Sequence, residues 1–163
     1  HDFAAYRPVF ELARTRAIPM RALNADRAFV RQVGKQGFDA AAADGKAPIS
    51  RPATPPPAYV AKLEDSFRQH MKAASPEALA RFVEAQTVWD RAMAETIVKT
   101  LIERPSSRVV AIMGWGHVAD GHGVAHQLKA LGVADSASAI PMIGGPGCEP
   151  KPESADFSFG IQP

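Results

Sequence analysis

The residues of this chain best equipped for chemistry gather in one stretch, G-W-G-H-V-A-D-G-H-G-V-A-H-Q-L, from Gly114 to Leu128. It follows the apolar run R-V-V-A-I-M (Arg108–Met113), which reads as a strand. A strand ending in Gly-Trp-Gly-His places His117 just past its carboxyl end, the rim where open α/β sheets bind ligands. Such a loop can cradle a phosphate, hold a metal, carry a catalytic histidine or only turn a corner. The phosphate readings fail on detail. There is no Gly-Lys-Ser/Thr ending, and Asp-Gly-His-Gly separates the loose G-x-G-x-x-A pattern from its helix. A metal reading has His117, His122 and His126. The last two are four residues apart, which on a helix sets both imidazoles on one face. That face is opposite Val124, Leu128 and Leu131, so His122 and His126 are expected on the solvent side as surface residues. His117 is the histidine whose position the strand end fixes.

Other candidates are few. No G-x-S-x-G occurs, and Cys148 lies in a Pro/Gly-rich loop without a basic neighbour. His70, between Gln69 and Met71, reads as a packing or boundary residue. The helix predicted from Pro76 to about Glu103 carries an apolar stripe of Leu79, Phe82, Val83, Met93 and Ile97. Arg81, Glu84, Arg91, Glu95 and Lys99 are expected opposite, in solvent. Gln86 and Asp90 fall inside the apolar stripe, flanked by Trp89. A buried carboxylate without donors would cost several kcal/mol, so Asp90 must have partners. It either holds a helix terminus or backbone amide, or it lines a site.

These residues need a frame. Phe3, Tyr6, Phe10 and Ala13 predict an amphipathic helix over residues 3–15, with Tyr6 packed on its apolar stripe. Ile18–Leu23 suits a strand, and Asn24 can cap a helix carrying Phe29, Val30 and Val33 that stops at Gly34 or Gly37. Residues 38–57 form a long Ala/Pro-rich connection whose P-A-T-P-P-P is extended. A helix over 57–73 places Tyr59 in its first turn, after an exposed loop. Ser75-Pro76-Glu77 starts the long helix with a hydroxyl cap, proline in the first turn and an acid. Ser107–Met113, 137–143 and 157–161 read as strands, and 121–131 as a short helix stopped by Gly132. Helices alternating with single strands indicate a single α/β domain over residues 1–163, a mostly parallel sheet flanked by helices.

Composition adds limits. The chain's 163 residues are enough for one core, and its single cysteine excludes an internal disulfide and a multi-cysteine zinc site. A net charge of +2 with no basic stripe gives no case for a nucleic-acid partner. No apolar run approaches the roughly 18 residues of a membrane span. The opening His1-Asp2-Phe3, in helical pattern from the start, is what a processed or partial chain would show once a targeting segment is removed.

Several blocks resemble one family. They are Y-R-P-V-F-E-L-A-R (Tyr6–Arg14), I-P-M-R-A-L-N-A-D-R (Ile18–Arg27), Y-V-A-K-L-E-D-S-F-R-Q-H (Tyr59–His70) and A-Q-T-V-W-D-R-A-M-A (Ala85–Ala94). V-V-A-I-M-G-W-G-H-V, G-H-G-V-A-H-Q-L and the closing A-D-F-S-F-G continue the series to Gly160. In this order and spacing they resemble the C-terminal half of the ChaN-like haem-binding uptake lipoproteins. Ala125 and Gln127 depart from the pattern, standing where that family usually has Pro and Arg. The resemblance implies a ChaN/Tiki/erythromycin-esterase-like α/β fold, incomplete at the N-terminus. The preceding half of the domain would bear a signal, a lipid-anchored cysteine as the only membrane attachment, and a Gly-Glu-x-His type motif.

It also implies haem binding without enzymatic activity, for iron acquisition at the bacterial cell envelope. The haem would lie between the subunits of a homodimer, on a tyrosine ligand. Only Tyr6 and Tyr59 are available, and the accessible first turn favours Tyr59 as the iron ligand, with His117, Gln86 and Asp90 around the cofactor. A phenolate is a hard anionic donor suited to ferric haem. The alternative is a metal-dependent hydrolase of the related Tiki and erythromycin-esterase-like group, using His117 beside Asp90 and Gln86. A third reading is a partner-binding scaffold with a vestigial pocket.

Overall fold

The computed structural model of the protein describes residues 3–70, 75–143 and 154–161. A 3-10 turn, Phe3–Tyr6, leads into α1 (Arg7–Thr15). Only Ala13 of this segment is buried, while Phe3, Tyr6, Phe10 and Leu12 are exposed. The expected core role of Tyr6 is therefore not found. Amphipathic spacing identified the helix, but among the described residues no layer covers its apolar face. Ile18–Leu23 forms no strand either; it is irregular, with Ile18 and Met20 exposed. Six apolar-rich residues without a neighbouring ladder cannot satisfy their backbone as a strand.

α2 (Arg27–Gln36) is capped by Asp26 and not by Asn24. The Asp26 carboxylate accepts from the amides of Ala28 at 2.7 Å and Phe29 at 2.9 Å. The helix ends at Gly37, whose φ of +87° needs a glycine. α3 (Phe38–Ala41) follows at once, so the 38–57 connection is not irregular throughout. α4 (Pro57–His70) leads towards α5 (Pro76–Glu103), whose cap is Ser75 as its sequence predicts, with Oγ accepting from the Ala78 amide at 3.2 Å. The side chain of His70 and all of Cys148 lie outside the described residues.

α5 is the spine. One of its faces meets α2 and α3 through Ala25, Phe29, Val33, Phe38, Val88 and Ala92, with the rings of Phe29 and Phe38 edge-on at 5.8 Å. Further along, Met93, Ala94 and Ile97 pack on Val124 and Leu128 of α6 (Val124–Ala130). Arg91, expected in solvent, is buried. Its Nε donates to Glu95 at 2.9 Å and to Ser50 of the proline-rich connection at 3.1 Å, so that connection covers the face where Arg91 stands.

The apolar run after α5 is the main departure. Residues 107–113 run extended but pair with no strand among the described residues. Val109, Ala111 and Met113 point at the α5–α6 core, whereas Val110 and Ile112 are exposed. Period-2 alternation is present and the ladder is not. α6 ends where Gly132, at φ +86°, lets the Val133 amide reach Leu128 O at 2.9 Å. β1 (Ala139–Ile143) and β2 (Phe157–Ile161) then pair in parallel, Ala139 opposite Phe157 through Ile143 opposite Ile161. The architecture is α/β and dominated by helices. Its sheet, among the described residues, is this two-stranded parallel pair and not a broad one.

Candidate functional site

Asp90 lies in the middle of α5, where α4 and the loop after Met113 converge, and it is 0 % exposed. Its two carboxylate oxygens take one donor each. The Tyr59 hydroxyl donates to Oδ2 at 2.8 Å, and His117 Nδ1 lies 2.7 Å from Oδ1. The sequence predicted that Asp90 needs partners, and the partners are two side chains rather than a helix terminus or backbone amide. A carboxylate here accepts from Nδ1–H, which fixes the imidazole tautomer with Nε2 as the lone-pair nitrogen. Nε2 forms no hydrogen bond among the described residues, and the ring is partly exposed.

Each partner is positioned by a local rule. Tyr59 falls in the first turn of α4, and the preceding strap fixes that start: Gln127 binds Ala53 twice, its Oε1 accepting from the Ala53 amide at 2.8 Å and its Nε2 donating to Ala53 O at 3.0 Å. His126 Nε2 lies 2.8 Å from Thr54 O. His117 closes a 3-10 turn, Trp115–His117, and a second turn, Ala119–Gly121, carries the chain into α6. Gly123 is the close-approach point. A Cβ there would fall 2.6 Å from His117 O and 3.0 Å from Asp90 Oδ1, so only glycine lets the loop close over the carboxylate. Asp120, at φ +58°, pairs with Lys62, whose ammonium stands 5.9 Å from the Trp115 ring centre.

The electrostatics separate the phenol from the imidazole. Tyr59 is 4 % exposed. Burial first, then the Asp90 charge and its hydrogen bond, push the Tyr59 hydroxyl well above the ordinary phenol range. The residue expected to be accessible is thus buried and held as the neutral phenol. The connection before α4 is strapped down and does not leave it open.

His122 and His126 are also corrected: both are half-buried against the strap and α4 rather than solvated. The helix that was to carry both begins only at Val124, so the face argument holds for neither. His122 Nδ1 is buried without a hydrogen-bond partner, and its ring centre is 6.4 Å from that of Tyr59. Burial, then the nearby Lys62 and His126, lower its proton affinity.

Gln86, one turn before Asp90, is half-buried and has no hydrogen bond to this cluster among the described residues. Tyr6, at the end of the 3-10 turn before α1, is 43 % exposed, and the rings of Phe3 in that turn and Phe10 in α1 are 5.2 Å apart. Gln127, 1 % exposed, was missed by sequence reasoning as a structural residue. Its signal was a polar residue on the apolar face of α6, at helical spacing from Val124 and beside Leu128.

Haem needs an open donor atom, apolar surface for the ring and groups for two carboxylates. Tyr59 does not fit as a ligand in this arrangement, because its oxygen is spent on Asp90 and its anion is disfavoured. His117 Nε2 fits, and beside it Trp115 is 57 % exposed. Tyr6 fits by exposure. Among the described residues no three His, Cys, Asp or Glu side chains converge as a metal centre, and no helix is long and apolar enough to cross a membrane.

Comparison with known families gives one match. Residues 1–128 match the family model described as haem-binding uptake, Tiki superfamily, ChaN. No curated protein matches, and no solved structure matches.

Proposed function

We propose that this chain, which belongs to the ChaN-like haem-binding uptake family of the Tiki superfamily, binds haem for iron acquisition at the bacterial cell envelope. The observation that carries the reading is the family match over residues 1–128, a span that holds every member of the Asp90 cluster. Bound haem brings a ferric iron with axial positions in a flat apolar ring bearing two propionates. The chain must supply a donor atom, apolar cover and a polar rim. Exposed Trp115 and the Phe3–Tyr6–Phe10 face are surfaces of the right chemistry, and Lys62 beside Trp115 is a cation of the right sign. Enclosure of haem between two copies belongs to the same proposal, since a second copy would cover the exposed aromatic face of α1. On a tyrosine ligand the reading now rests on Tyr6, the phenol that is open, and not on Tyr59.

The test is a titration of the purified chain with ferric haem, followed by visible absorption and by size-exclusion chromatography. A saturable one-to-one endpoint and a shift to twice the monomer mass are expected. Absorption indistinguishable from free haem at every ratio would end the reading.

The Asp90–His117 hydrogen bond supports a second reading, a metal-dependent hydrolase. A histidine oriented through Nδ1 by a buried carboxylate is poised to accept a proton at Nε2. Ester or peptide hydrolysis that needs added Zn²⁺ and disappears in His117→Ala would favour it over haem binding.

A further inference from the structure

We propose that the open cleft between the ends of α2 and α4 and the start of α5 is a binding site for a small aromatic carboxylate. None of its lining residues belongs to the Asp90 cluster, and the inference goes beyond the haem reading.

The cleft has a volume of about 580 Å³, inside the range of roughly 300–1,000 Å³ that small-molecule sites occupy. Its apolar lining comes from Phe67 of α4 and from Ala78, Phe82 and Ala85 of α5. The rings of Phe67 and Phe82 stand 4.9 Å apart at 34°, and both residues are half-buried. The ring surface they leave in the cleft is surface that a further flat ring can cover. Gly34 is a second sign that the space is kept. It stands in the last turn of α2, where glycine is the least favourable residue after proline. Its φ is not positive, and a Cβ built on it would meet only Ala85 Cβ, at 4.0 Å. Neither backbone nor packing calls for a glycine there. A side chain at this position would take space in the cleft, which Gly34 lines.

Charge sets the class of ligand. Lys35 and Arg81 also line the cleft. Arg81 Nη1 donates to Lys35 O, which pins the guanidinium against the end of α2 and leaves its other N–H groups for an anion. Among the described residues Lys35 pairs with no carboxylate. The acid on the lining, Glu77, is engaged at the start of its own helix. Its hydrogen bond with Ser75, first of all, holds the Glu77 carboxyl below its ordinary range, with Arg81 a smaller contributor. A ligand carboxylate is therefore drawn to Lys35 and Arg81 and kept from Glu77. A guanidinium can grip a carboxylate with two N–H groups and lie flat on an aromatic ring, while an ammonium adds a point charge. An aromatic body on Phe67 and Phe82 with its carboxylate on the two cations uses every one of these groups. Among its described lining residues the cleft holds no Tyr, His, Cys or Met, so it offers haem iron no axial donor.

The experiment titrates the full chain with naphthoate, followed by calorimetry and by amide NMR shifts. One saturable site is expected, with the largest shifts at Lys35, Phe67 and Phe82. Naphthylmethanol, which keeps the ring and drops the charge, should bind at least about tenfold more weakly, and so should naphthoate to Lys35→Gln, because each loses a charge-assisted contact. Gly34→Leu fills the cleft while improving the helix propensity of α2, so binding should disappear with circular dichroism unchanged. Arg81→Gln should weaken binding too, but it also removes the tie to α2, and the Lys35 and Gly34 variants keep the test decisive if it does not fold.

Naphthoate binding unchanged in both Lys35→Gln and Gly34→Leu would overturn the inference, as would shifts centred on the exposed face of α1 or no saturable binding by wild type. Dodecanoate bound in preference to naphthoate would overturn the aromatic class of the ligand. Ferric haem that displaces naphthoate from the cleft would overturn the separateness of the two sites while leaving haem binding intact. Naphthoate bound at Lys35 and Phe82 by a chain that binds no haem would support this inference and end only the haem reading.

Discussion

Asp90 and Val110 invert the ordinary rule of burial. Asp90 is a carboxylate at 0 % exposure, and Val110 is an aliphatic residue at 82 %. The first stands where α4, α5 and the Gly114–Gly123 loop supply a donor for each of its oxygens. The second stands on an extended run whose inner neighbours, Val109 and Ala111, reach the α5–α6 core and whose outer face meets no layer among the described residues. Residue type alone therefore decides neither position; the partners within reach do. The half of the molecule around α5 is close to saturated: even Arg91 and Gln127 are buried and hydrogen-bonded, and His122 Nδ1 is an exception. The half built from residues 107–113 and β2 presents apolar side chains outward.

Asp90→Ala is the strongest attack on the saturated half. It removes a buried charge together with the acceptor for Tyr59 and His117. Breaking such a cluster by deleting one member costs about 3–5 kcal/mol. Denaturant unfolding of the variant should show a loss on that scale, with the His117 loop freed in amide exchange. A loss under about 1 kcal/mol, the ordinary worth of one neutral hydrogen bond, would mean that the cluster is not what holds the loop.

Tyr59→Phe sharpens the same point at lower cost. The ring stays and fills its space, and only the hydroxyl on Asp90 Oδ2 is lost. A hydrogen bond to a charged group contributes about 1.5–3 kcal/mol, and the unfolding free energy should fall by that amount. A neutral result would show that water replaces the phenol, and the site would then be wetter than its burial indicates.

The sequence made the saturated half legible through rules that act locally. Ser75-Pro76-Glu77 gave the start of α5, and the apolar stripe of α5 exposed Asp90 as an outlier needing partners. Gly132 gave the end of α6. The identity of Asp90's partners was not legible, because Tyr59 and His117 are 31 and 27 residues away and only tertiary closure brings them in. The strap was misread as open since two of its anchors, Glu95 and His126, are polar residues that sequence periodicity assigns to solvent, and Gln127 had no visible partner in sequence. In the other half, R-V-V-A-I-M read as a buried strand, but an apolar run alone could not show that Val110 and Ile112 would be exposed or supply a pairing partner. β1 and β2 were placed to within two residues, since apolar runs bounded by turns suffice when a partner strand is present. The family was also legible, because its blocks recur in order along residues 1–128.

A pH titration separates the halves more gently. Folding lowers the proton affinity of His122 from its ordinary 6.5, first by burial and then through Lys62 and His126. The unfolded chain therefore takes up a proton that the folded chain resists. Stability from this group is whole above about pH 6.5 and is lost as the pH falls below it. The melting temperature of wild type should drop between pH 7.5 and 5.5, and His122→Asn should flatten that slope. An unchanged slope would place the pH dependence elsewhere.

The smallest effect is expected at Val110, and it decides whether the second half is open in solution. Val110→Thr keeps the shape and adds a hydroxyl on a face 82 % exposed. Surface changes of this kind stay within about 0.5 kcal/mol. The neighbouring Val109→Thr sets a hydroxyl on the half-buried side that packs on the α5–α6 core and should cost about 1–3 kcal/mol, the penalty for a poorly paired polar group. Adjacent positions on one extended run thus carry opposite expectations, with backbone and substitution held constant. Equal costs would mean that the outer face is covered in solution, and the contrast with Asp90 would then be one between two buried layers. A near-zero cost at Val110 beside a full cost at Val109 would fix the run as a strand with one layer in place and its other face free.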